Sequence, residues 1–145
     1  MKHFKCGKCA KRYKVDPSKV QSSRMVIACS SCGAKNAVRF GPVLVAQSKG
    51  KVKQFPLNLG DNAIGRKSDS SQSRIQLEDK FVSRTHAKIN LEEKDNKLYF
   101  FISDLNSKNG THNKTKVKIK SDIKYPITTN DFYVVGLTKL SIKFN

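Results

Sequence analysis

Acidic residues are scarce in this 145-residue chain: 11 Asp and Glu stand against 29 Lys and Arg, a formal net charge of +18. An excess of that size speaks about partners rather than fold, and it favours nucleic acid, anionic surfaces or phosphorylated proteins. The acids are scarcest at the start. Residues 1–42 hold Asp16 alone against ten Lys and Arg, whereas residues 43–145 hold ten acids against nineteen, so charge density is more than twice as high in the first segment. Long apolar runs are also missing. The longest, Val43-Leu44-Val45-Ala46 and Leu98-Tyr99-Phe100-Phe101-Ile102, fall well short of the roughly twenty residues that a membrane span needs. No apolar stretch follows the positive charges of Met1-Lys2-His3-Phe4-Lys5-Cys6, which argues against a signal peptide. The expectation is a cytoplasmic protein with reduced thiols and no membrane partner. There is no internal repeat, no low-complexity tract and no window with a sustained helical period.

Cysteine is absent after Cys32, and this splits the chain. All four cysteines lie in residues 1–42, Gly41-Pro42 reads as a break in regular structure, and no long linker follows. Two abutting domains are expected, 1–42 and 43–145. In the first, Cys6-Gly7-Lys8-Cys9 and Cys29-Ser30-Ser31-Cys32 are two CxxC pairs with 19 residues between them. Each pair suits a tight turn presenting two thiolates to one metal, and the spacing matches tetrahedral zinc sites. About forty residues cannot usually bury enough core to fold alone, and a metal supplies the missing free energy. Two disulfides are disfavoured by a reducing compartment, and a redox CxxC would need an α/β setting that is not visible here. One structural zinc on Cys6, Cys9, Cys29 and Cys32 is expected. His3 is a spare ligand that four thiolates make unnecessary. The segment resembles short prokaryotic zinc ribbons, which implies a β-rich ribbon.

The second segment reads as short strands. Val43–Ala46 and Val52–Leu59 flank Ser48-Lys49-Gly50-Lys51, a hairpin connection. Arg74–Leu77 and Ala87–Leu91 alternate, Asp95-Asn96 turns the chain into Leu98–Ile102, and Val117–Ile119, Phe132–Val135 and Leu140–Phe144 complete the pattern. Many short strands at regular spacing argue for an all-β sandwich or barrel.

Three motifs carry the chemistry: Ile64-Gly65-Arg66, Val82-Ser83-Arg84-Thr85-His86-Ala87 and Asp104-Leu105-Asn106-Ser107-Lys108-Asn109-Gly110-Thr111. Each alone has a plain structural reading, Asn109-Gly110 for instance being a hairpin signal. Together they supply what a phosphothreonine with its charge of about −1.5 to −2 demands. Arginine offers a planar fork for phosphate oxygens, serine a compact hydroxyl beside its own N–H, and asparagine both a donor and an acceptor for an extended peptide backbone.

In order and spacing these motifs resemble forkhead-associated (FHA) domains, over roughly residues 43–145. The resemblance implies an eleven-stranded antiparallel β-sandwich with the motifs clustered in loops at one end, and a binding module for phosphothreonine peptides. It implies phosphopeptide contacts for Arg66, Ser83, Arg84 and Asn109. Lys108 stands where many members carry a hydroxyl, so a cation replaces that contact. Gly65, His86, Gly110 and Thr111 are implied supports of the site. Thr111-His112-Asn113-Lys114 is shorter than the hairpin of typical members.

The expected function is a non-enzymatic adaptor that binds a phosphothreonine-containing protein. A catalytic reading would recruit Ser83, His86 and Asp104, but three-apart residues at a strand entrance do not converge on one face, and no nucleophile elbow G-x-S-x-G is present. The alternative partner is nucleic acid, held by the basic ribbon. Tyr13 and Phe40 could stack bases there or fill the ribbon's small core.

Overall fold

The structure is a computed structural model that describes residues 2–16 and 24–145. Among the described residues there is no helix, and therefore none long and apolar enough to cross a membrane. The chain opens with two hairpins. Strands β1 (Lys2–Lys5) and β2 (Arg12–Val15) pair antiparallel, as do β3 (Arg24–Ala28) and β4 (Lys35–Arg39). Each hairpin turns through one CxxC pair. The two turns close alike, with the Ala10 N–H donating to the Cys6 carbonyl at 3.0 Å and the Gly33 N–H to the Cys29 carbonyl at 2.8 Å.

Ten strands follow: β5 (Pro42–Ser48), β6 (Lys51–Pro56), β7 (Gly60–Arg66), β8 (Ile75–Leu77), β9 (Ala87–Lys94), β10 (Lys97–Asp104), β11 (Thr111–Asn113), β12 (Tyr125–Pro126), β13 (Phe132–Val135) and β14 (Thr138–Phe144). They form two five-stranded sheets, ordered β12-β10-β9-β7-β8 and β11-β13-β14-β5-β6. Every pairing is antiparallel except β7 with β8. The all-β sandwich is as expected, but its strand count is ten rather than eleven. The stretch Val117–Ile119, expected as a strand, contributes a single isolated bridge, His112 to Lys118. Its one inward residue is Ile119, whose N–H donates to the Thr111 carbonyl at 2.9 Å.

Alternation along the strands builds the core. In β9 the residues Ala87, Ile89 and Leu91 are buried while Lys88 and Asn90 are only half covered; Ile64 and Ile102 flank them in the same sheet, Leu44 and Leu140 come from the other sheet, and all four have no exposed surface. Each such side chain contributes about 1.5–3 kcal/mol. Lys49-Gly50 and Asp95-Asn96 both sit at positive φ, the conformation of tight two-residue hairpin turns.

The ribbon is not a bead on a string. Val38 and Phe40 belong to the sandwich core, and Phe4, Val15, Met25 and Ile27 pack against it. Phe40 is 2 % exposed. Gly41 and Asn145 exchange two backbone hydrogen bonds of 2.9 and 2.8 Å, closing the sandwich where the ribbon enters. The expected boundary at residue 42 therefore falls inside a continuous apolar cluster.

Candidate phosphopeptide site and cysteine cluster

The three motifs converge at the end of the sandwich where β7 stops, β9 starts and β10 stops. A shallow cleft of about 390 Å³ is lined by Arg66, Lys80, Phe81, Val82, Ser83, Lys108 and Asn109. Four of the five contact residues read from the sequence thus share one depression. The fifth, Arg84, does not line it: its Nη1 donates to Ser70 Oγ at 3.2 Å in the β7–β8 connection.

Backbone bonds hold the loops in register. The Arg66 N–H donates to the Ser83 carbonyl at 2.9 Å, so the guanidinium and the hydroxyl start from adjacent points. The Lys108 N–H donates to Ser83 Oγ at 3.1 Å. That leaves the serine O–H free to donate, which suits an anion. Asn109 Nδ2 donates to the Phe81 carbonyl at 2.9 Å, so this side chain ties two loops together and keeps its Oδ1 as an acceptor. Among the described residues no carboxylate pairs with Arg66, Lys80 or Lys108. Lys80 lies over the exposed Phe81 ring, 5.3 Å from its centre. The cleft is cationic and has no internal counter-charge.

The supports are buried and fully engaged. His86 has no exposed surface. Its Nδ1 accepts the Ser83 N–H at 3.0 Å and its Nε2 lies 2.9 Å from the Gly110 carbonyl. An acceptor on one side and a carbonyl on the other fix the neutral tautomer with the proton on Nε2. Burial holds its pKa below the ordinary histidine value, against the Gly110 carbonyl and the charge of Asp104, which favour protonation. Ser83 and His86 do touch, because they lie in a loop rather than a strand. They meet through the serine backbone, however, and both ring nitrogens are occupied, so the pair is not a nucleophile and base.

Gly65 is required by close approach: a Cβ there would stand 1.7 Å from the Arg84 carbonyl oxygen. Gly110 has φ +80 and lies against Lys118. Thr111 Oγ1 donates to Asp104 Oδ1 at 2.7 Å. Asp104 also takes Ser107 Oγ at 2.6 Å and N–H at 3.0 Å, and Ser121 Oγ at 3.1 Å. Burial alone would raise its pKa, but these hydrogen bonds hold it below the usual carboxylate value.

Sequence reasoning missed two buried anchors. Asp79 accepts the Phe81 and Leu137 N–H groups at 3.0 and 2.7 Å and the Thr138 hydroxyl at 2.7 Å. Ser73 donates to the Arg84 carbonyl at 2.9 Å. Neither belongs to a motif: Asp79 stands three residues before Val82, and Ser73 ends the serine-rich stretch after Arg66. The short loop after Thr111 is built on Asn113, whose Oδ1 accepts the N–H groups of Thr115 and Val117 and the Thr115 hydroxyl.

A family model for the FHA domain matches residues 62–136, just over half of the chain. The chain belongs to the FHA family. No curated protein matches it in sequence. Solved FHA structures do resemble it. The FHA domain of the CT664 protein from Chlamydia trachomatis is 29% identical with a TM-score of 0.58, covering 70% of this chain and 95% of that one. An FHA domain from a structural and functional study of phosphothreonine-dependent FHA interactions is 24% identical with a TM-score of 0.56, covering 71% and 97%. The MEK1 FHA domain in complex with a HOP1 phosphothreonine peptide is 19% identical with a TM-score of 0.56, covering 70% and 96%.

At the ribbon, the cysteines are free thiols whose four Sγ atoms lie within 4.8 Å of one another. Cys6 and Cys32 are 3.6 Å apart and Cys9 and Cys29 3.5 Å. A tetrahedral zinc with Zn–S near 2.3 Å sets its sulfurs about 3.8 Å apart, so the donor set fits. Tyr13 stacks on Phe4 at 5.3 Å and donates its hydroxyl to Cys29 Sγ at 3.1 Å. That bond, followed by the Cys32 and Ser31 backbone, lowers the Cys29 pKa to about 6 against the opposing effect of burial. The Cys9 and Lys8 N–H groups lower Cys6 to about 7. The Ala34 N–H favours the Cys32 thiolate, but burial and the neighbouring sulfurs outweigh it and push that thiol up to about 12. His3 is exposed and stands outside the cluster.

Proposed function

We propose that the chain is a non-enzymatic adaptor that binds phosphothreonine peptides in the Arg66–Ser83–Lys108–Asn109 cleft. The observation that carries the reading is a cleft with three cations, a serine hydroxyl free to donate and no carboxylate, at the loop end of an FHA sandwich. Two of the structures it resembles are described with phosphothreonine-dependent partners. Arg66 supplies the fork for the phosphate, Ser83 the short donor, Lys108 a second positive charge, and Asn109 the grip on the peptide backbone. Arg84 joins only by leaving Ser70.

The four cysteines hold one structural zinc that cross-links the two hairpins. With four protein ligands it has no open position and no part in catalysis. Residues 43–145 carry the phosphopeptide site, and residues 1–42 form a ribbon whose Val38 and Phe40 pack into the sandwich core, in a cytoplasmic protein. Calorimetry with matched phosphothreonine, phosphoserine and unphosphorylated peptides tests the reading. Arg66→Ala is expected to cost about 1.5–3 kcal/mol, the worth of one charged hydrogen bond. Equal affinity for the phosphorylated and unphosphorylated peptides overturns it.

A further inference from the structure

The outer face of the first hairpin has no role in the phosphopeptide site. In β1 and β2, Phe4 and Tyr13 are opposite partners turned inward, and His3↔Lys14 and Lys5↔Arg12 are the opposite partners turned outward. All four outward residues are exposed. Lys5 and Arg12 are like charges placed directly across a two-stranded ladder, where they repel and destabilise it. None of these four residues has an ion-pair partner among the described residues, although five lysine–carboxylate pairs occur in the sandwich. Strand geometry sets Lys5 about 7 Å from His3, and Arg12 about 7 Å from Lys14, in two parallel rows.

We propose that this face docks the phosphate backbone of a nucleic acid. A polyanion relieves the cross-strand repulsion, and a row of cations is neutralised by a row of phosphates. A lipid surface fits less well, because the face carries no apolar side chain to enter the acyl region. The ribbon meets the sandwich at the end of β9 opposite the phosphopeptide cleft. A depression lined by Arg24, Arg39, Phe40, Gly41, Glu93 and Asn96 joins the ribbon to the turn after β9, whereas the phosphopeptide cleft lies before the start of β9. Eight residues of strand separate the two, about 25 Å. Because Phe40 is locked in the sandwich core, the spacing is fixed rather than set by a linker.

The test uses the whole zinc-loaded chain, a fluorescent duplex DNA of about 20 base pairs and a phosphothreonine peptide selected from an oriented library. Three fixed cations, Lys5, Arg12 and Lys14, predict that log K falls by about 2.7 per log unit of salt, roughly a 40-fold loss between 50 and 200 mM. Lys5→Glu/Arg12→Glu is expected to lower that slope by about two and weaken DNA binding, while peptide affinity stays unchanged. Arg66→Ala is expected to do the reverse, which separates failure of this proposal from failure of the phosphopeptide reading. DNA and peptide together are expected to bind without competition. The proposal is overturned if the Lys5/Arg12 reversal leaves DNA affinity and slope unchanged. Equal binding of phosphatidylserine vesicles, or equal competition by poly-aspartate at the same charge concentration, also overturns it.

Discussion

Replacing Gly65 by alanine adds one methyl group at the place where three loops meet. Its φ is not in the left-handed region, so conformational freedom is not the issue. The added Cβ would stand 1.7 Å from the Arg84 carbonyl oxygen, 2.6 Å from its carbon and 2.5 Å from Ser73 Oγ. Ser73 can rotate away, but only by giving up its 2.9 Å bond to the Arg84 carbonyl. The carbonyl itself can move only with the loop. Overpacking of this kind costs about 1–3 kcal/mol and the lost bond about 0.5–1.5 kcal/mol. The sum, roughly 2–4 kcal/mol, corresponds to a fall in Tm of about 8–15 °C for a domain of this size. Binding suffers by a second route. Arg66 follows Gly65 and is tied to Ser83 by backbone, so moving Arg84 moves the serine relative to the guanidinium. Phosphopeptide affinity is expected to drop at least tenfold. Thermal unfolding and calorimetry on the same preparation check both. A variant with an unchanged Tm and an affinity within twofold of the parent would refute the close-packing account of this loop junction.

Stability should fall in mild acid because of His86. Its folded-state pKa is depressed, so its contribution is complete above about pH 6.5 and is lost as pH falls through the folded value. Denaturant titrations from pH 7.5 to 5 should show this slope, and His86→Gln should flatten it. Metal analysis should find one zinc per chain. Chelation should disorder the hairpins, read out by loss of the Tyr13 near-ultraviolet signal, and a well-folded ribbon without metal would refute the assignment. Ala10 sits at φ 63 where the second knuckle has Gly33 at φ 75, so Ala10→Gly should stabilise the ribbon by about 0.5 kcal/mol. A chain starting at Val43 lacks Phe40 and should lose about 3–5 kcal/mol of stability relative to one starting at Lys35.

The parts of the fold that alternate cleanly were legible. Phe132–Val135 is a strand as read, and Ala87–Leu91 is the buried half of β9. β7 was not legible as a strand, because beside Ile64 its buried positions are Asn62 and Gly65 rather than large apolar residues. Asn62 is buried since its amide satisfies the carbonyls of Asn58, Gly60 and Ile89, a network no local pattern reveals. Val117–Ile119 looks like a strand but lies only against the three-residue β11, with which it forms a single bridge, His112 to Lys118. In the site, three compact motifs pointed to Arg66, Ser83 and Asn109, which line one cleft. The direction of the Arg84 side chain and the anchoring by Asp79 depend on contacts 14 and 59 residues away in sequence, which spacing does not encode.

The clasp between Gly41 and Asn145 has a mechanical consequence. β5 and β14 are antiparallel neighbours with Pro42 opposite Phe144, so both ends of the sandwich leave from the same pole. Tension applied between the ribbon and the C-terminus loads the hydrogen bonds of this ladder one at a time, from Gly41–Asn145 inward, and peels it open like a zip. Tension applied between the ribbon and a ligand in the cleft instead runs lengthwise along the strands and loads many bonds at once. The same molecule is therefore compliant along its backbone and stiff between its two poles.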